Sequence, residues 1–271
     1  VNGNYCHLRN SHCNTYCIGY SRDRNIHWGS FRIMRHIILG FGSIGKRHYN
    51  NLMRLLPEGD DITTIDPDPQ SDAAFRVYPF SSMMDCAVYI CSPTCWHSNH
   101  ITSAIQYGCK TIFVEKPLLS LGDDRISWYT DDVKIICGYN YRYHPVFQDL
   151  KRFGDHLRYL SLYASDKLDD RYGFTALETM ASHSIDAALW CVGPAASWSV
   201  KDTGHRAAIQ IVHKNDCMTQ IYADITSDPR EAEMRFSTNI HSGRFGIERY
   251  DPMYLEEMRA WLNYIETGEK G

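Results

Sequence analysis

No uninterrupted apolar run in this chain is long enough to cross a bilayer, and no surplus of basic residues gives it a field for nucleic acid. Lysine and arginine number 28 against 32 acids, a formal net charge of −4. Residues 1–30 lack the apolar core of a secretion signal, so a reducing cytoplasm is the expected location. No Cys-x-x-Cys pair occurs either, which removes the usual zinc knuckle. The ten cysteines therefore read differently from a disulfide framework: Cys86, Cys91, Cys137 and Cys191 lie inside apolar runs, where the thiol behaves as a small hydrophobe. Cys6-His7, His12-Cys13 and Cys17 carry metal-capable side chains without a ligand spacing, and no metal is assigned to them. Residues 1–33 show no clear periodicity and are expected to be a poorly ordered extension, with Met34 a fitting start for the fold that follows.

What is present is enough for two packed domains: 271 residues, 44% of them hydrophobic. The apolar run from Ile37 flows into Gly40-Phe41-Gly42-Ser43-Ile44-Gly45 and then into a segment, Ser43 to Leu56, with apolar residues at helical spacing. This order suits a dinucleotide. Gly40 turns the strand, Gly42 removes a Cβ that would block a pyrophosphate, and Gly45 lets the helix pack close to the sheet. The phosphates then meet free N–H groups at the helix start. A second strand, Asp61 to Asp66, ends in an acid 21 positions after Gly45. Asp66 can accept hydrogen bonds from both ribose hydroxyls and would repel a 2′-phosphate, which favours NAD over NADP. An ordinary strand–turn–helix with an exposed Asp is the competing reading.

Further along, Ala87–Cys91 reads as a buried strand ending in Ser92-Pro93-Thr94. Ligands gather at that edge of an open parallel sheet, so Ser92, Pro93, Thr94 and nearby His97 are candidate cofactor contacts. His97 serves equally as the first residue of a helix that runs to Gly108. The next strand, Lys110–Val114, ends in Glu115-Lys116-Pro117. A surface ion pair is one reading of Glu115 and Lys116; a lysine at the mouth of a nucleotide site, on a backbone stiffened by Pro117, is the other.

Beyond residue 156 come strand-like runs, Leu157–Tyr163, Ala207–Val212, Met218–Ile225 and Glu233–Ile240, interrupted by a helical stretch from Thr175 to Cys191. His183 and Asp186 share a face of that helix. Tyr139, Tyr141 and Tyr143 alternate as in a strand, and Arg142 between them can grip a substrate phosphate or carboxylate or close an ion pair. Tyr254–Glu269 forms an amphipathic helix.

The stretches Gly40–His48, Ser92-Pro93-Thr94 with His97, Gly108–Pro117 and Gly138–Pro145 together resemble the glucose–fructose oxidoreductase/inositol dehydrogenase/rhizopine catabolism (Gfo/Idh/MocA) family. The resemblance spans most of residues 34–267. It implies an α/β protein: a Rossmann NAD(P)-binding domain, residues 34–145, followed by a substrate and oligomerisation domain, 146–271, built on an open, largely antiparallel sheet. A dimer or tetramer is the expected assembly, and a sugar, sugar nucleotide or cyclitol the expected substrate. The resemblance makes Lys116 and His183 the catalytic pair, gives Glu115 a place beside the cofactor, and leaves Asp186 a structural role. Two departures stand out. The acid many members carry four residues before the histidine is Thr179 here, with Glu178 one step away and rotated about 100° on a helix. The segment 166–174 is short where relatives carry a longer substrate loop, and relatives commonly continue past the last helix, so a fragment or compact variant with an exposed apolar patch is expected. An NAD-dependent oxidoreductase is the leading reading, and a dinucleotide-binding sensor or regulatory subunit without turnover the alternative.

Overall fold

The structure, a computed structural model, describes residues 34–268 apart from 59, 80, 121, 124–131, 169–174, 229 and 249. The cysteine–histidine cluster at the start of the chain and most of the short 166–174 loop lie outside these residues.

Five parallel strands make the first sheet: β1 (Arg35–Leu39), β2 (Asp61–Ile65), β3 (Cys86–Ile90), β4 (Thr111–Glu115) and β5 (Lys134–Gly138), in the order β2-β1-β3-β4-β5. Period-two alternation sorts their side chains between two layers. Ile37, Leu39, Val88, Ile90, Ile112 and Val114 face the cluster that contains Ile101 and Ala104 of helix α2 (His97–Gln106). Ile38, Ala87, Tyr89 and Phe113 face Leu52 of α1 (Ser43–Leu55) and, from the far end of the chain, Met258, Trp261 and Leu262 of α5 (Pro252–Thr267). Every residue of β3 is buried, as both covered faces require.

A short helix α3 (Pro145–Lys151) leads into the second sheet, whose strands are β6 (Leu157–Ser165), β7 (Ala195–Asp202), β8 (Arg206–His213), β9 (Met218–Asp224), β10 (Glu231–Thr238) and β11 (Ser242–Gly246). Their order is β11-β10-β6-β9-β8-β7, antiparallel except where β6 meets β9. On the covered face Leu160, Leu162, Ile209, Ile221 and Met234 pack against Ala181, Ala187, Ala188 and Cys191 of a helix that begins with one wide π turn (Leu177–Ala181) and continues as α4 (Ser182–Val192). The other face is open and carries Trp198, Met218 and Tyr222 exposed.

One expectation is corrected. Tyr139, Tyr141 and Tyr143 do not form a strand: Asn140–Tyr143 is a tight 3-10 turn between β5 and α3. Ring stacking overrides the alternation, since Tyr141 is buried between Phe147 (5.0 Å between ring centroids) and His183 (4.8 Å). Strand β5 coincides with the apolar run that holds Cys137, whereas β7 and β11 were not legible as runs. Nearly all of β7 is exposed, so its place comes from hydrogen bonding to β8 rather than from an apolar pattern.

Buried histidines make the fold acid-sensitive. His36 on β1 is 2% exposed, its Nδ1 lies 2.9 Å from Tyr89 Oη, and burial holds its pKa down at about 4. Asp60 Oδ2 lies 3.7 Å from His36 Nε2, and burial pushes its carboxyl up. The unfolded chain therefore takes up a proton that the native state refuses, and stability present above pH 6.5 is lost as pH falls toward 4. His36 alone is expected to contribute about 3 kcal/mol of this loss. Urea unfolding of wild type and His36→Gln between pH 7 and 4.5 checks it: the variant should lose less stability over that range.

Candidate active site

The turn that ends β1 is fixed on both sides. Gly40 N–H donates to Ile65 O (2.8 Å) and Cys91 N–H donates to Leu39 O (2.7 Å), so the ends of β2 and β3 hold it between them. Gly40 has φ +93°, and a Cβ there would lie 2.6 Å from Ser92 N. A Cβ on Gly45 would lie 2.1 Å from Gly40 O, which puts α1 directly against the turn. Gly42, the N-cap of α1, is different. Its φ of −73° is open to any residue, and among the described residues nothing stands within 4 Å of the position its Cβ would take. No side chain caps this helix start, leaving the N–H groups of Ser43, Ile44 and Gly45 directed at that open space.

Asp66 closes the other side. Its Oδ2 accepts from Phe41 N–H (2.6 Å) and its Oδ1 from Asp68 N–H (2.9 Å). A carboxylate has about four acceptor positions, so capacity for two hydroxyls remains. Uncapped N–H groups, an open glycine and a half-buried acid across the same turn fit the pyrophosphate and ribose of a dinucleotide.

Ser92 and Pro93 sit at the end of β3 beside Gly40, and Thr94 begins a short 3-10 turn, itself buried. His97 is buried at 1% exposure and bridges Ser92 O and Pro117 O, each 2.8 Å from a ring nitrogen. Its pKa is lowered, chiefly by burial, and a neutral ring donates to one carbonyl at a time. Its place is thus between the two loops that carry the other candidates, and Ser92 Oγ is engaged by His100 Nδ1 (2.8 Å).

Lys116 follows β4 at the sheet's C-terminal edge. Its Nζ donates to Thr179 O (2.9 Å) in the π turn, four residues before His183. The position where relatives' acid was missed thus supplies a main-chain carbonyl, which any side chain permits. Burial lowers the pKa of Lys116, with Glu115 opposing. His183 stacks on Tyr141 and meets the edge of Tyr139. Its Nδ1 is buried without a hydrogen-bond partner. Burial, then Lys116, then Arg230 hold its pKa well below 6.5, so the ring is neutral. An orphaned buried nitrogen beside an amine is where a ligand's polar group completes the pairing.

The remaining candidates serve one another. Arg142 donates to both oxygens of Asp186, from Nε at 2.8 Å and Nη2 at 2.5 Å, a bidentate pair that ties the turn after β5 to α4. Glu178 and Thr175 cap the helix start reciprocally: Glu178 N–H donates to Thr175 Oγ1 (3.1 Å) and Thr175 Oγ1 donates to Glu178 Oε2 (3.2 Å). Thr179 Oγ1 donates to Thr175 O (2.7 Å).

Two groups were not picked out from sequence. Arg230, before β10, is half exposed, and its charge reaches Lys116, His183 and Tyr141. An arginine in a turn gives no signal of that. His48 and Glu257 are buried together with Glu115. Here a signal existed: each is a polar residue on the apolar stripe of its helix, His48 between Gly45 and Leu52, Glu257 between Met253 and Trp261.

Residues 34–125 match a family model described as "Oxidoreductase family, NAD-binding Rossmann fold" (GFO_IDH_MocA). Among solved structures, a myo-inositol dehydrogenase from Corynebacterium glutamicum is 16% identical, with TM-score 0.69 over 89% of this chain and 90% of its own. A probable dehydrogenase from Thermotoga maritima is 20% identical, with TM-score 0.69 over 87% and 90%. The WlbA dehydrogenase from Bordetella pertussis, in complex with NADH and UDP-GlcNAcA, is 15% identical, with TM-score 0.68 over 88% and 90%. At such identities the likeness is one of fold. No curated protein matches the chain in sequence. No helix among the described residues is long and apolar enough to cross a membrane.

Proposed function

We propose, from the match of residues 34–125 to the Gfo/Idh/MocA oxidoreductase model, that the chain is an NAD-dependent oxidoreductase acting on a secondary alcohol or ketone of a sugar-like substrate. The observation that carries the reading is the meeting of Lys116 with the helix of His183 through Thr179 O, at the same sheet edge as the glycine turn.

When bound, the nicotinamide supplies the hydride acceptor or donor. The residues do the rest. Neutral His183 takes the proton from the substrate hydroxyl in oxidation and returns it in reduction. Lys116 hydrogen-bonds the same oxygen and stabilises developing alkoxide charge. Gly42 and the first turn of α1 receive the pyrophosphate, and Asp66 receives the ribose hydroxyls. Arg142 and Asp186, paired with each other, hold the wall behind His183. Arg230, its side chain half exposed and its Nε 3.8 Å from Asp166 Oδ2, extends its charge to Lys116 and His183, which within the sugar class favours substrates bearing a carboxylate or phosphate. Replacing it by alanine is expected to raise KM for such a substrate about tenfold or more while kcat changes little. The open face of the second sheet, with Trp198 and Tyr222, suits self-association into a dimer or tetramer, to be measured by sedimentation.

Fluorescence titration with NADH and NADPH tests the cofactor half of the reading. Wild type is expected to prefer NADH, and Asp66→Ala to weaken NADH about 10–100-fold, the worth of hydrogen bonds to a charged group, while narrowing the gap to NADPH. A folded protein that binds neither nucleotide would sink the proposal. The alternative, a dinucleotide-binding sensor without turnover, is favoured by Thr179 standing where an acid is expected, and NADH binding with no turnover of any alcohol would select it.

A further inference from the structure

Behind the lysine lies a buried cluster with no part in the chemistry above. His48 of α1 is wholly buried, and its Nε2 lies 2.6 Å from Glu115 Oε1 at the end of β4. An ionised carboxylate only accepts, so the imidazole donates. The second oxygen of Glu115 accepts a long bond from the backbone N–H of Lys116 itself (3.3 Å). Phe113 holds the imidazole edge-on at 5.2 Å. Gly138 on β5 keeps the space open: a Cβ there would lie 2.7 Å from Phe113 and 3.5 Å from Glu115 Oε1. From α5 comes Glu257, 4% exposed, with neither oxygen hydrogen-bonded and one of them within 4.8 Å of the ligand atoms of the other two.

One imidazole and two carboxyls can hold a divalent ion, but the geometry argues for a proton. Ligands about 2.0–2.2 Å from one ion stand roughly 3 Å or more from each other, wider than the His48–Glu115 contact. Burial and the neighbouring Glu115 push the Glu257 carboxyl well up, so it stays neutral, and a single carboxylate faces the imidazole.

We propose that His48 is a positioning residue for the active site: by gripping the Glu115 side chain, it holds in place the carboxylate that stands behind Lys116. This rests on the oxidoreductase reading. The link also spans the functional geometry, since α1 presents the dinucleotide turn at its first residue and grips the lysine strand from its sixth. Removing the imidazole takes away the 2.6 Å bond that fixes the Glu115 side chain and leaves its carboxylate free to turn away from Lys116. Lys116 then loses a carboxylate that favours its ammonium, while Cys137, His183 and Arg230, with which it also interacts electrostatically, are unchanged.

The test reads Lys116 directly and needs no substrate. Competitive acetylation with acetic anhydride across pH 6–11, followed by mass spectrometry of the Lys116 peptide, gives its labelling rate and midpoint. His48→Leu is expected to move the midpoint down and speed labelling at pH 8 by about threefold or more, the effect of half a unit. His48→Gln, whose amide can donate from nearly the same place, is expected to restore the wild-type profile. Glu115→Gln keeps shape without charge, and so gives the same downward shift should His48→Leu not fold. An unchanged or upward midpoint in folded His48→Leu or Glu115→Gln overturns the proposal. So does a melting temperature that Zn²⁺ raises in wild type and not in Glu257→Gln, which would make the cluster a cation site. NADH titration of the same samples separates the two readings: lost nucleotide binding by wild type fails the oxidoreductase, whereas normal binding with an unmoved lysine fails only the role of His48.

Discussion

Alanine in place of Gly42 is expected to leave the protein as stable as wild type and to remove most of its affinity for NADH. The backbone there has φ −73°, which costs a side chain nothing, and no atom of the described residues lies within 4 Å of the position a Cβ would take. Nothing in the fold therefore calls for glycine, and what remains is close approach by a ligand. A methyl group between the pyrophosphate and the uncapped N–H groups of α1 should cost the bonds they make, about 10–100-fold in affinity. The control is Gly45→Ala, three residues further into the helix start. Its Cβ would fall 2.1 Å from Gly40 O, and Gly40 cannot retreat because Ile65 O and the Ser92 backbone enclose it. Overpacking of that kind costs on the order of 3 kcal/mol, so the melting temperature should drop by roughly 6–12 °C together with nucleotide binding. Calorimetry and NADH titration on both variants separate the two roles. Equal melting temperatures with equal NADH affinity in Gly42→Ala would mean that the dinucleotide does not lie over this turn.

The second large effect concerns turnover. With an alcohol found by screening, Lys116→Ala and His183→Ala are each expected to lower kcat by about 10²–10⁴-fold, the usual worth of a positioned acid–base group or oxyanion donor. NADH affinity should change by less than about threefold, since neither residue is placed at the phosphates or ribose. The pH profile carries a sharper signature. Oxidation needs His183 neutral, and its pKa lies well below 6.5 because burial, Lys116 and Arg230 all disfavour the imidazolium. The rate should therefore already be flat at pH 6.5 and fall only as pH drops through that lowered value. On the alkaline side, loss of the Lys116 ammonium should lower the rate at a pH below 10.5, because burial depresses that group too. An acid limb centred at or above pH 6.5, or one that persists in His183→Ala, would remove the histidine from the role of base.

Much of this was legible from residues alone, and for a common reason: each legible feature depends on neighbours in the chain. The turn Gly40–Gly45, Asp66 at the end of β2 and Lys116 at the end of β4 are local patterns, a strand running into a break with a chemically apt residue at the break. Helices α1, α2 and α5 announced themselves by apolar spacing to within three residues of their ends. Where the reading went astray, a distant partner had decided. The tyrosines around Arg142 alternate like a strand, yet stacking of Tyr141 between Phe147 and His183 folds them into a turn.

By itself, then, the sequence determined most strands and helices, the glycine turn and which polar groups stand at strand ends, because backbone conformation and amphipathic spacing act over a few residues. Only the tertiary structure decided how those groups are used. It brought Thr179 O to Lys116 across 63 positions, turned Arg142 onto Asp186 across 44, and set His48 against Glu115 across 67. Such pairings follow from which faces are buried together. A buried donor or acceptor must find its partner among whatever packing brings near, and packing is a property of the whole chain.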